Sequence, residues 1–470
     1  IVMSLSLPIF TFLAMVSKEN GILLPVLAGT IEMTVFSAQR DRCGRLDKRW
    51  FGLFVVTPLA VICAYLGEKL FHPNFLEIIP PRDFSIYERL LTQSRVIVDY
   101  LQNWFVPKLY TTGVFQDHFL KSTGLFTPVT TVLSMGLVLA MLSFAIWARR
   151  RWPLFALAIL FFFANHLLES TIVNLELYFE HRNYLAVSLF SVPLFAVLWR
   201  RTSRRSFALA CLGTMLLLGG FTRYSATVWQ SEEGIVEASA LKAPTSARAQ
   251  TQYAMLLFNA NQHDASLRVL NDAIENIPGH HPLLLTHRLT ALCNLQQLEP
   301  DEFERNAKIL SSLNFDARML KAYNNFAKVV VIRRCPKIQL ASVLPMFTNM
   351  LNVPLNSDPS SIEYTHIRFL IGYVRLYLGQ VDQAMAEFRE SLRARPGASY
   401  AMGMAALFAT AGFPEHALQL SEIALTQLDT VNNTTLIGQR ATADDIREFQ
   451  ATVRAEIAAR PAGDTADPDE

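Results

Sequence analysis

The sequence predicts an all-α protein in which a polytopic membrane helix bundle is followed by an α-solenoid of repeated helix pairs. Hydrophobic residues make up 51% of the 470 residues, charged residues make up 17%, and the mean hydropathy is +0.25. This composition is too apolar for one ordinary soluble domain. Long apolar runs occupy residues 1 to about 222, whereas charged residues recur every few positions from about residue 240 onward. The chain therefore divides into a membrane half and a soluble half.

Seven apolar segments are candidate membrane spans, and several of them are shorter than the roughly 20 residues that cross a bilayer. Short spans of this kind are plausible only inside a multi-helix bundle. The chain begins within an apolar run, with neither an initiator Met nor a signal-peptide pattern, so we expect a fragment whose N-terminal spans are missing. The candidate spans are 1–16, 21–36, 51–71, 128–147, 153–168, 185–199 and 207–222.

Clusters of Lys and Arg orient the spans, because such clusters accumulate in short cytoplasmic loops. Three clusters lie at 38–50, 148–152 and 200–205, and two candidate spans separate each cluster from the next. All three therefore agree on the cytoplasmic face. Their members are Arg40, Arg42, Arg45, Lys48, Arg49, Arg149, Arg150, Arg151, Arg200, Arg201, Arg204 and Arg205.

The other connections, which are 17–20, 72–127 and 169–184, then share the extracytoplasmic face with everything after residue 222. This orientation predicts a multi-pass protein of a bacterial inner membrane whose second half lies in the periplasm. The predicted domains are a membrane domain at 1–224, an extracytoplasmic repeat domain at 225–460 and a disordered acidic tail at 461–470.

Composition argues against nucleic acid as a partner and against a metal site. The net charge is +2, without a basic tail or a basic stripe interleaved with aromatic residues. The five cysteines are scattered and form no C-x-x-C pair, so we predict neither a metal nor any other cofactor. Cys293 and Cys335 could pair if the second half lies in an oxidising compartment, and the sequence leaves that pairing open.

Two stretches of the second half superimpose at a spacing of 33 residues, the interval from Gly379 to Gly412. They are "GYVRLYLGQVDQAMAEFRESLRARP" and "AALFATAGFPEHALQLSEIAL", and "QTQYAMLLFNANQHDASLRVLNDAIENIP" fits the same pattern, whereas 281–360 matches poorly. The pattern resembles the tetratricopeptide repeat (TPR), which needs small residues where two helices cross. The matching positions are Gly372, Ala384, Phe388, Pro396, Ala405, Ala417, Ser421 and Ala424, with Ala254, Ser266, Ala273 and Pro278 in the earlier unit.

Stacked TPR helix pairs form a solenoid with a concave groove. The groove could dock a protein acceptor or partner, or the array could be a rigid spacer for the membrane half. We favour docking, because such grooves usually bind peptides or proteins.

Charged residues beside the predicted spans are the candidates for chemistry, because charges at membrane depth are costly and usually face a cavity. Lys18 and Glu19 lie at the outer junction of the first two spans. Glu180, His181 and Arg182 directly precede a later span, where an imidazole and a guanidinium could hold a phosphate by charge-assisted hydrogen bonds. These five residues are predicted to bind a lipid phosphate or substrate.

Helical spacing would place Glu169 and Glu176 on the same side as Glu180, and we expect these two carboxylates to orient the cations. The alternative is that the segment holds solvated loop charges with interfacial aromatics. We prefer that alternative for the aromatics, which are Tyr178, Phe179 and Tyr184.

The stretch "TQSRVIVDYLQNWFVPKLY" at 92–110 predicts an amphipathic helix that lies in the membrane interface and stops at Pro107. Its apolar face contains Ile97, Tyr100, Leu101, Trp104 and Phe105. Such a helix could guide a lipid-linked donor or only anchor the loop. Arg95, which lies off the apolar face, is its candidate binding residue.

The order "SKENG", "QSRVIVDYLQNWFVPKLY", "ELYFEHRNYLA" and a trailing TPR array resembles the multi-pass O-mannosyltransferases with tetratricopeptide repeats and their bacterial relatives. The resemblance covers essentially the whole chain. It implies the C-type glycosyltransferase fold, in which Lys18 and Glu19 match a Lys-Glu pair, Arg95 matches the Arg of an amphipathic segment, and Glu180 and Arg182 match late acidic and basic positions. His181 fits only the bacterial-type "EHRN" pattern.

The resemblance also implies an activity: transfer of a sugar from a polyprenyl-phosphate carrier to a protein or glycan hydroxyl on the extracytoplasmic face, with the repeats docking the acceptor. The family's acidic residue in the first outer loop has no counterpart here, so we expect this fragment to be inactive alone. Two alternatives stay open. One is an O-antigen polymerase or oligosaccharide ligase, and the other is a noncatalytic membrane scaffold that presents repeats to envelope proteins.

Overall fold

The computed structural model describes residues 2–39, 47–71, 84–106, 114–117, 119–173, 175–277, 279, 281–332, 334–429 and 440–459. Every regular element in these ranges is a helix, which confirms the all-α class. The predictions for Arg40, Arg42, Arg45, Cys43, Pro107, Pro278 and the acidic tail fall outside the described residues.

The chain divides into two compact units, Ile1–Ala249 and Gln250–Glu470. The division falls later than the predicted boundary between residues 224 and 225. The difference arises because the long helix at the end of the apolar half continues to Val228 and a further helix, Glu232–Lys242, also belongs to the first unit.

The described part of the first unit contains a series of helices joined by short turns. A 3₁₀ turn at Glu19–Leu23 precedes the second helix, and a π-helical turn at Glu32–Phe36 follows it. The helices are α1 Val2–Ser17, α2 Leu24–Ile31, α3 Lys48–Leu70, α4 Ile86–Phe105, α5 Thr130–Ala148, α6 Pro153–Glu169, α7 Glu180–Ala186, α8 Ser188–Arg201, α9 Arg204–Val228 and α10 Glu232–Lys242.

Three of these helices, α3, α5 and α9, are long and apolar enough to cross a membrane. Helices α7 and α8 meet at a bend of 46° and could together form a fourth span. Helices α1 and α6 are apolar but shorter. By length and composition the described residues therefore support three or four spans, and the prediction of about seven stays a prediction for the shorter segments.

Helix α6 is the centre of the first unit, because its apolar residues are buried on more than one face. Leu157 and Phe161 pack with Leu27 of α2 and Ile62 of α3 in one core cluster. Phe162 is fully buried in a second cluster that includes residues of α4, α5 and α7. The C-terminus of α6 is consequently held in a fixed position, and the candidate site begins there.

Helix α4 begins earlier than predicted, and most of its apolar face is buried in the protein, although Phe105 at its end is 57% exposed. Ser85 and Glu88 form a capping box that starts the helix at Ile86. On its apolar face Ile97 is 8% exposed and Leu101 is 6% exposed, and both pack in the cluster that contains Phe162. The prediction that Ile97 and Leu101 lie in the membrane interface is therefore wrong. An amphipathic pattern shows that one face of a helix avoids water, but it does not show whether lipid or protein covers that face.

The second unit is an array of helices. They are α11 Ala247–Asn259, which crosses the division between the units, and then α12 His263–Asn276, α13 Pro282–Asn294, α14 Pro300–Ser311, α15 Leu320–Val331, α16 Leu340–Met350, α17 Ile362–Tyr377, α18 Val381–Ala394, α19 Ala398–Thr410, α20 Pro414–Thr426 and α21 Ala443–Ala459.

Four helix pairs of this unit turn in the same way. Asn261, Gln296, Gly379 and Gly412 have φ of +60°, +60°, +76° and +88° and follow the first helix of their pair. In each pair the next residue's N–H donates to the carbonyl five residues back, which is the Schellman pattern that ends helices. The α13/α14 pair lies within 281–360, so part of the stretch that matched poorly does form a repeat. The motif was hidden because Gln296 stands where later repeats have Gly.

The disulfide between Cys293 of α13 and Cys335 settles the pairing that the sequence left open. Their Cα atoms are 4.7 Å apart and the two residues are 42 positions apart in the sequence. Both side chains are buried in the core cluster that contains residues of α13 to α17.

Gly372 of α17 allows the close crossing of α17 and α18. A Cβ at this position would lie 2.6 Å from Cε1 of Phe388, which is fully buried. Gly403 of α19 is also within a helix, but a Cβ there would meet no heavy atom within 4 Å. Packing therefore requires glycine at position 372 but not at position 403.

We expect Gly372→Ala to lower the free energy of unfolding of the α17/α18 pair by about 1–2 kcal/mol, because the Phe388 ring has no space to move into. Gly403→Ala is the matched control and should be neutral or stabilise its helix by up to about 1 kcal/mol. Hydrogen–deuterium exchange of peptides from α17 to α20 in the intact chain measures both effects. Equal protection in the two variants would contradict the packing argument.

Candidate functional site

A buried carboxylate, Glu169, joins three separate segments of the first unit. Lys18 Nζ lies 3.7 Å from Oε1 of Glu169, and Arg182 Nε lies 3.6 Å from Oε2. The side-chain amide of Asn20 also donates to Oε1. We call Lys18, Asn20, Glu169 and Arg182 the Glu169 cluster. Two residues predicted to bind phosphate and one predicted to orient them are thus brought together.

Charge explains why Glu169 needs two cations. Only 6% of the residue is exposed, and it is the last residue of α6, where the helix dipole disfavours a negative charge. A buried carboxylate without partners is costly, so Lys18 and Arg182 stabilise it. The cluster retains one excess positive charge, and the Lys18 side chain, which is 57% exposed, makes part of that charge accessible.

Arg182 is held on several sides. Besides Glu169, its Nη1 donates to the carbonyl oxygen of Glu176 at 3.0 Å, and its guanidinium carbon lies 4.8 Å from the centre of the Phe179 ring. The Glu176 carboxylate pairs at 3.5 Å with Arg248. Glu176 therefore supports Arg182 through its backbone, while its side chain serves a second contact.

The other predicted residues surround the cluster without joining its described ion pairs. Glu19 is exposed beside Lys18, and Glu180 is half-buried. His181 is exposed, and its ring centroid lies 5.0 Å from that of Phe179. The ring of Phe179 therefore contacts both the Arg182 guanidinium and the His181 imidazole.

Arg95 is bound to a different segment. Its Nη1 donates to the carbonyl oxygen of Leu120 at 2.8 Å and lies 3.3 Å from Oγ of Ser122, and its guanidinium lies 5.1 Å from the Phe119 ring centre. These contacts tie α4 to the connection that precedes α5. In the described residues Arg95 is thus engaged in structure and is not part of the Glu169 cluster.

Sequence reasoning missed Arg89 of α4, which holds the segment after α6 in place. Its side chain is completely buried, and it donates to the carbonyl oxygens of Glu169 at 2.5 Å, Thr171 at 2.8 Å and Leu175. A guanidinium presents five N–H donors in a fixed fork, so one residue can bind three carbonyls. Arg89 therefore fixes the backbone that carries Glu169.

The same face of α4 holds the next part of this segment. Gln93 donates to the carbonyl oxygen of Leu177 at 2.7 Å, and the Tyr100 hydroxyl bonds both the N–H and the carbonyl oxygen of Phe179, each at 2.8 Å. Burial raises the pKa of Tyr100 to about 12, so the phenol stays protonated near neutral pH. Arg89, Gln93 and Tyr100 are separated by four and then seven residues, a spacing that places them on one face of a helix. The sequence could have indicated this polar face, but the helix was expected to start only at residue 92.

Tyr178 is anchored by a further polar group of α4. Its hydroxyl donates to Oδ2 of Asp99 at 2.5 Å, and Nδ2 of Asn103 bonds both partners at 3.0 Å. Burial, followed by the hydrogen bond to Asp99, raises the pKa of Tyr178. Tyr178 is 4% exposed, so it belongs to the protein core rather than to an interfacial aromatic belt.

Chemically, the Glu169 cluster can bind an anion and stabilise developing negative charge. Among the described residues, no group of three or more His, Cys, Asp or Glu side chains is arranged to hold a metal ion. Lysine and arginine are the cationic groups that most often contact phosphate in proteins, Arg through paired donors and Lys as a point charge. The cations of the cluster are thus of the residue types that commonly contact phosphate groups.

Comparisons with known proteins give a similarity only among solved structures. No family model matches the chain, and no curated protein matches it in sequence. Among solved structures, the chain is similar to the crystal structure of a thermophilic TPR protein from Thermus thermophilus, with 18% identity and a TM-score of 0.27. The alignment covers 45% of this chain and 100% of that chain. The repeated helix pairs and their turns, rather than this similarity, are the basis for describing the second unit as TPR-like.

We expect Arg89→Met to destabilise the segment from Glu169 to Phe179 by about 3–5 kcal/mol, because three buried carbonyl oxygens lose a charged donor. Arg95→Met is the matched control, since Arg95 lies on the same helix but bonds the segment at 119–122. Hydrogen–deuterium exchange of the peptide after α6 should increase strongly in the first variant and little in the second. Similar exchange in both variants would contradict the role assigned to Arg89.

Proposed function

We propose that the chain transfers a sugar from a polyprenyl-phosphate carrier to a protein or glycan hydroxyl on the extracytoplasmic face of a membrane, with the repeats docking the acceptor. The supporting observation is the Glu169 cluster, in which Lys18 and Arg182 converge on one buried carboxylate at the end of an apolar helix. The cluster adjoins the start of the bent helix pair α7 and α8, which is a possible span. A lipid phosphate at the membrane surface would meet the cations at this depth.

In this reaction the bond between the sugar's anomeric carbon and the carrier phosphate oxygen breaks, and the acceptor oxygen forms the new bond. Negative charge develops on the leaving phosphate, and Lys18 and Arg182 would stabilise it. The acceptor hydroxyl must also lose a proton to a general base. Glu169 is a poor candidate for that base, because both of its oxygens already face cations, so we assign it to orientation of the cations.

The disulfide supports the extracytoplasmic location of the second unit. Disulfides such as Cys293–Cys335 persist in oxidising compartments and are rare in the cytosol. This agrees with the orientation that the Lys and Arg clusters predict. It favours acceptors of the cell envelope, and no nucleic acid is proposed as a partner.

We expect Arg182→Ala, in the protein produced by its own host, to reduce sugar transfer by about 10²–10³-fold, because a charged donor to the leaving phosphate is lost. Arg182→Lys should retain part of the activity, since it keeps the charge and loses the fork. Mass spectrometry of envelope proteins and glycans from the host measures the transferred mass.

Arg150→Ala is the control, because Arg150 is exposed in a different connection. Normal sugar transfer in a correctly folded Arg182→Ala variant would refute the transferase proposal and favour the scaffold alternative. Loss of a preassembled glycan rather than a single sugar would instead favour the polymerase or ligase alternative.

A further inference from the structure

The second unit contains a cavity of about 180 Å³ between its first helix pairs. Residues of α11, α12 and α13 line it, and Asn325 of α15 completes the lining. Ala254, Leu270 and Ala291 are buried and form an apolar floor, whereas Asn259 and Asn325 are exposed and form a polar rim. A cavity of about 150 Å³ is large enough to hold benzene, so this one fits a single aromatic ring.

Asparagine side-chain amides recur along the rim of the cavity. Asn259 and Asn294 are the last residues of α11 and α13, and each lies two positions before the left-handed turn residue of its helix pair. Asn294 already donates to the carbonyl oxygen of Thr290 at 2.8 Å and accepts from Arg334 at 3.4 Å. Among the described contacts, neither Asn259 nor Asn325 has a hydrogen-bond partner. Their amides therefore present donors and acceptors to a ligand.

The lining carries no net charge. None of its described residues is Asp, Glu, Lys or Arg. The one titratable group is His287, and burial lowers its pKa to about 4, so the imidazole is neutral near pH 7. A charged side chain would lose hydration on entering and would meet no opposite charge in the lining, since Arg334 contacts Asn294 of the rim and is not itself a lining residue. The cavity therefore selects against carboxylates and amines.

We infer that this cavity binds an uncharged aromatic side chain of an extended acceptor peptide, whose backbone amides hydrogen-bond to Asn259 and Asn325. Each peptide group has one donor and one acceptor, and each asparagine amide supplies the complementary pair. Aromatic side chains that fill a desolvated pocket commonly dominate the affinity of such interfaces. The inference rests on the proposed function only in that the peptide is taken to be part of the acceptor.

Fluorescence anisotropy with three labelled peptides tests the inference on the full chain in lipid nanodiscs. The peptides are acetylated and amidated, share the sequence GSTGSXGSTGS, and carry tyrosine, alanine or glutamate at X. We expect the tyrosine peptide to bind about tenfold or more tightly than either of the others, as for a hot-spot side chain. Absence of binding, or equal binding of all three peptides, would overturn the inference.

Variants of the chain locate the binding. Met255→Trp should fill the mouth of the cavity and weaken tyrosine-peptide binding about tenfold or more, and it is tolerable because Met255 is 41% exposed. Asn325→Ala should weaken binding by a few-fold, roughly the loss of one hydrogen bond. Asn276→Ala is the control, since Asn276 is exposed on α12 and bonds the Asp272 carbonyl of its own helix. Unchanged binding in Met255→Trp would place the peptide elsewhere.

The assay contains no sugar donor, so its outcome is independent of transfer. Loss of transfer in Arg182→Ala with no effect of Met255→Trp on peptide binding would reject the cavity and keep the proposed function. Tyrosine-selective binding that Met255→Trp removes, together with normal transfer in Arg182→Ala, would keep the cavity and reject the transferase.

Discussion

The fully buried guanidinium of Arg89 is the interaction on which the first unit's site depends. The segment between α6 and α7 has no regular structure in its described residues, so its carbonyl oxygens need partners from elsewhere. Arg89 supplies two of those partners and also bonds the last carbonyl of α6, and Gln93 and Tyr100 extend the contact along the same helix. Helix α4 thus replaces the backbone ladder that a helix or strand would have provided.

This arrangement determines the electrostatics. With the segment fixed, Glu169 remains at the end of α6 and Arg182 lies within reach of it in the first turn of α7. Lys18 approaches from the first helical connection. Because the carboxylate holds both cations before any ligand arrives, an incoming phosphate would meet oriented donors and would not have to order them. The Glu169 carboxylate also cancels part of the positive charge, so it orients the two cations but weakens their attraction for an anion.

Much of the architecture could be predicted, and the failures have physical causes. The cost of charge beside an apolar run drew attention to Lys18 and Arg182 separately. That both contact Glu169 depends on tertiary contacts between distant segments. Arg89 was missed because the predicted helix began only at residue 92, and a charged residue outside a helix is usually solvated. The periodicity of α4 was recognised, yet its apolar face could equally have met lipid. In the second unit, Gln296 concealed a helix pair because a left-handed turn normally signals itself by Gly.

The two units meet opposite chemical demands. The Glu169 cluster retains excess positive charge and suits a ligand whose charge grows during reaction, since electrostatic stabilisation counts only where charge develops. The cavity of the second unit is lined by amides and apolar groups, with a histidine that burial keeps neutral. Such a surface suits a ligand whose charge does not change and whose backbone must be recognised in many sequences. Under the proposed function, an anionic donor at the first site and a neutral acceptor segment at the second would not compete, because the lining of the cavity holds no cation for the donor phosphate.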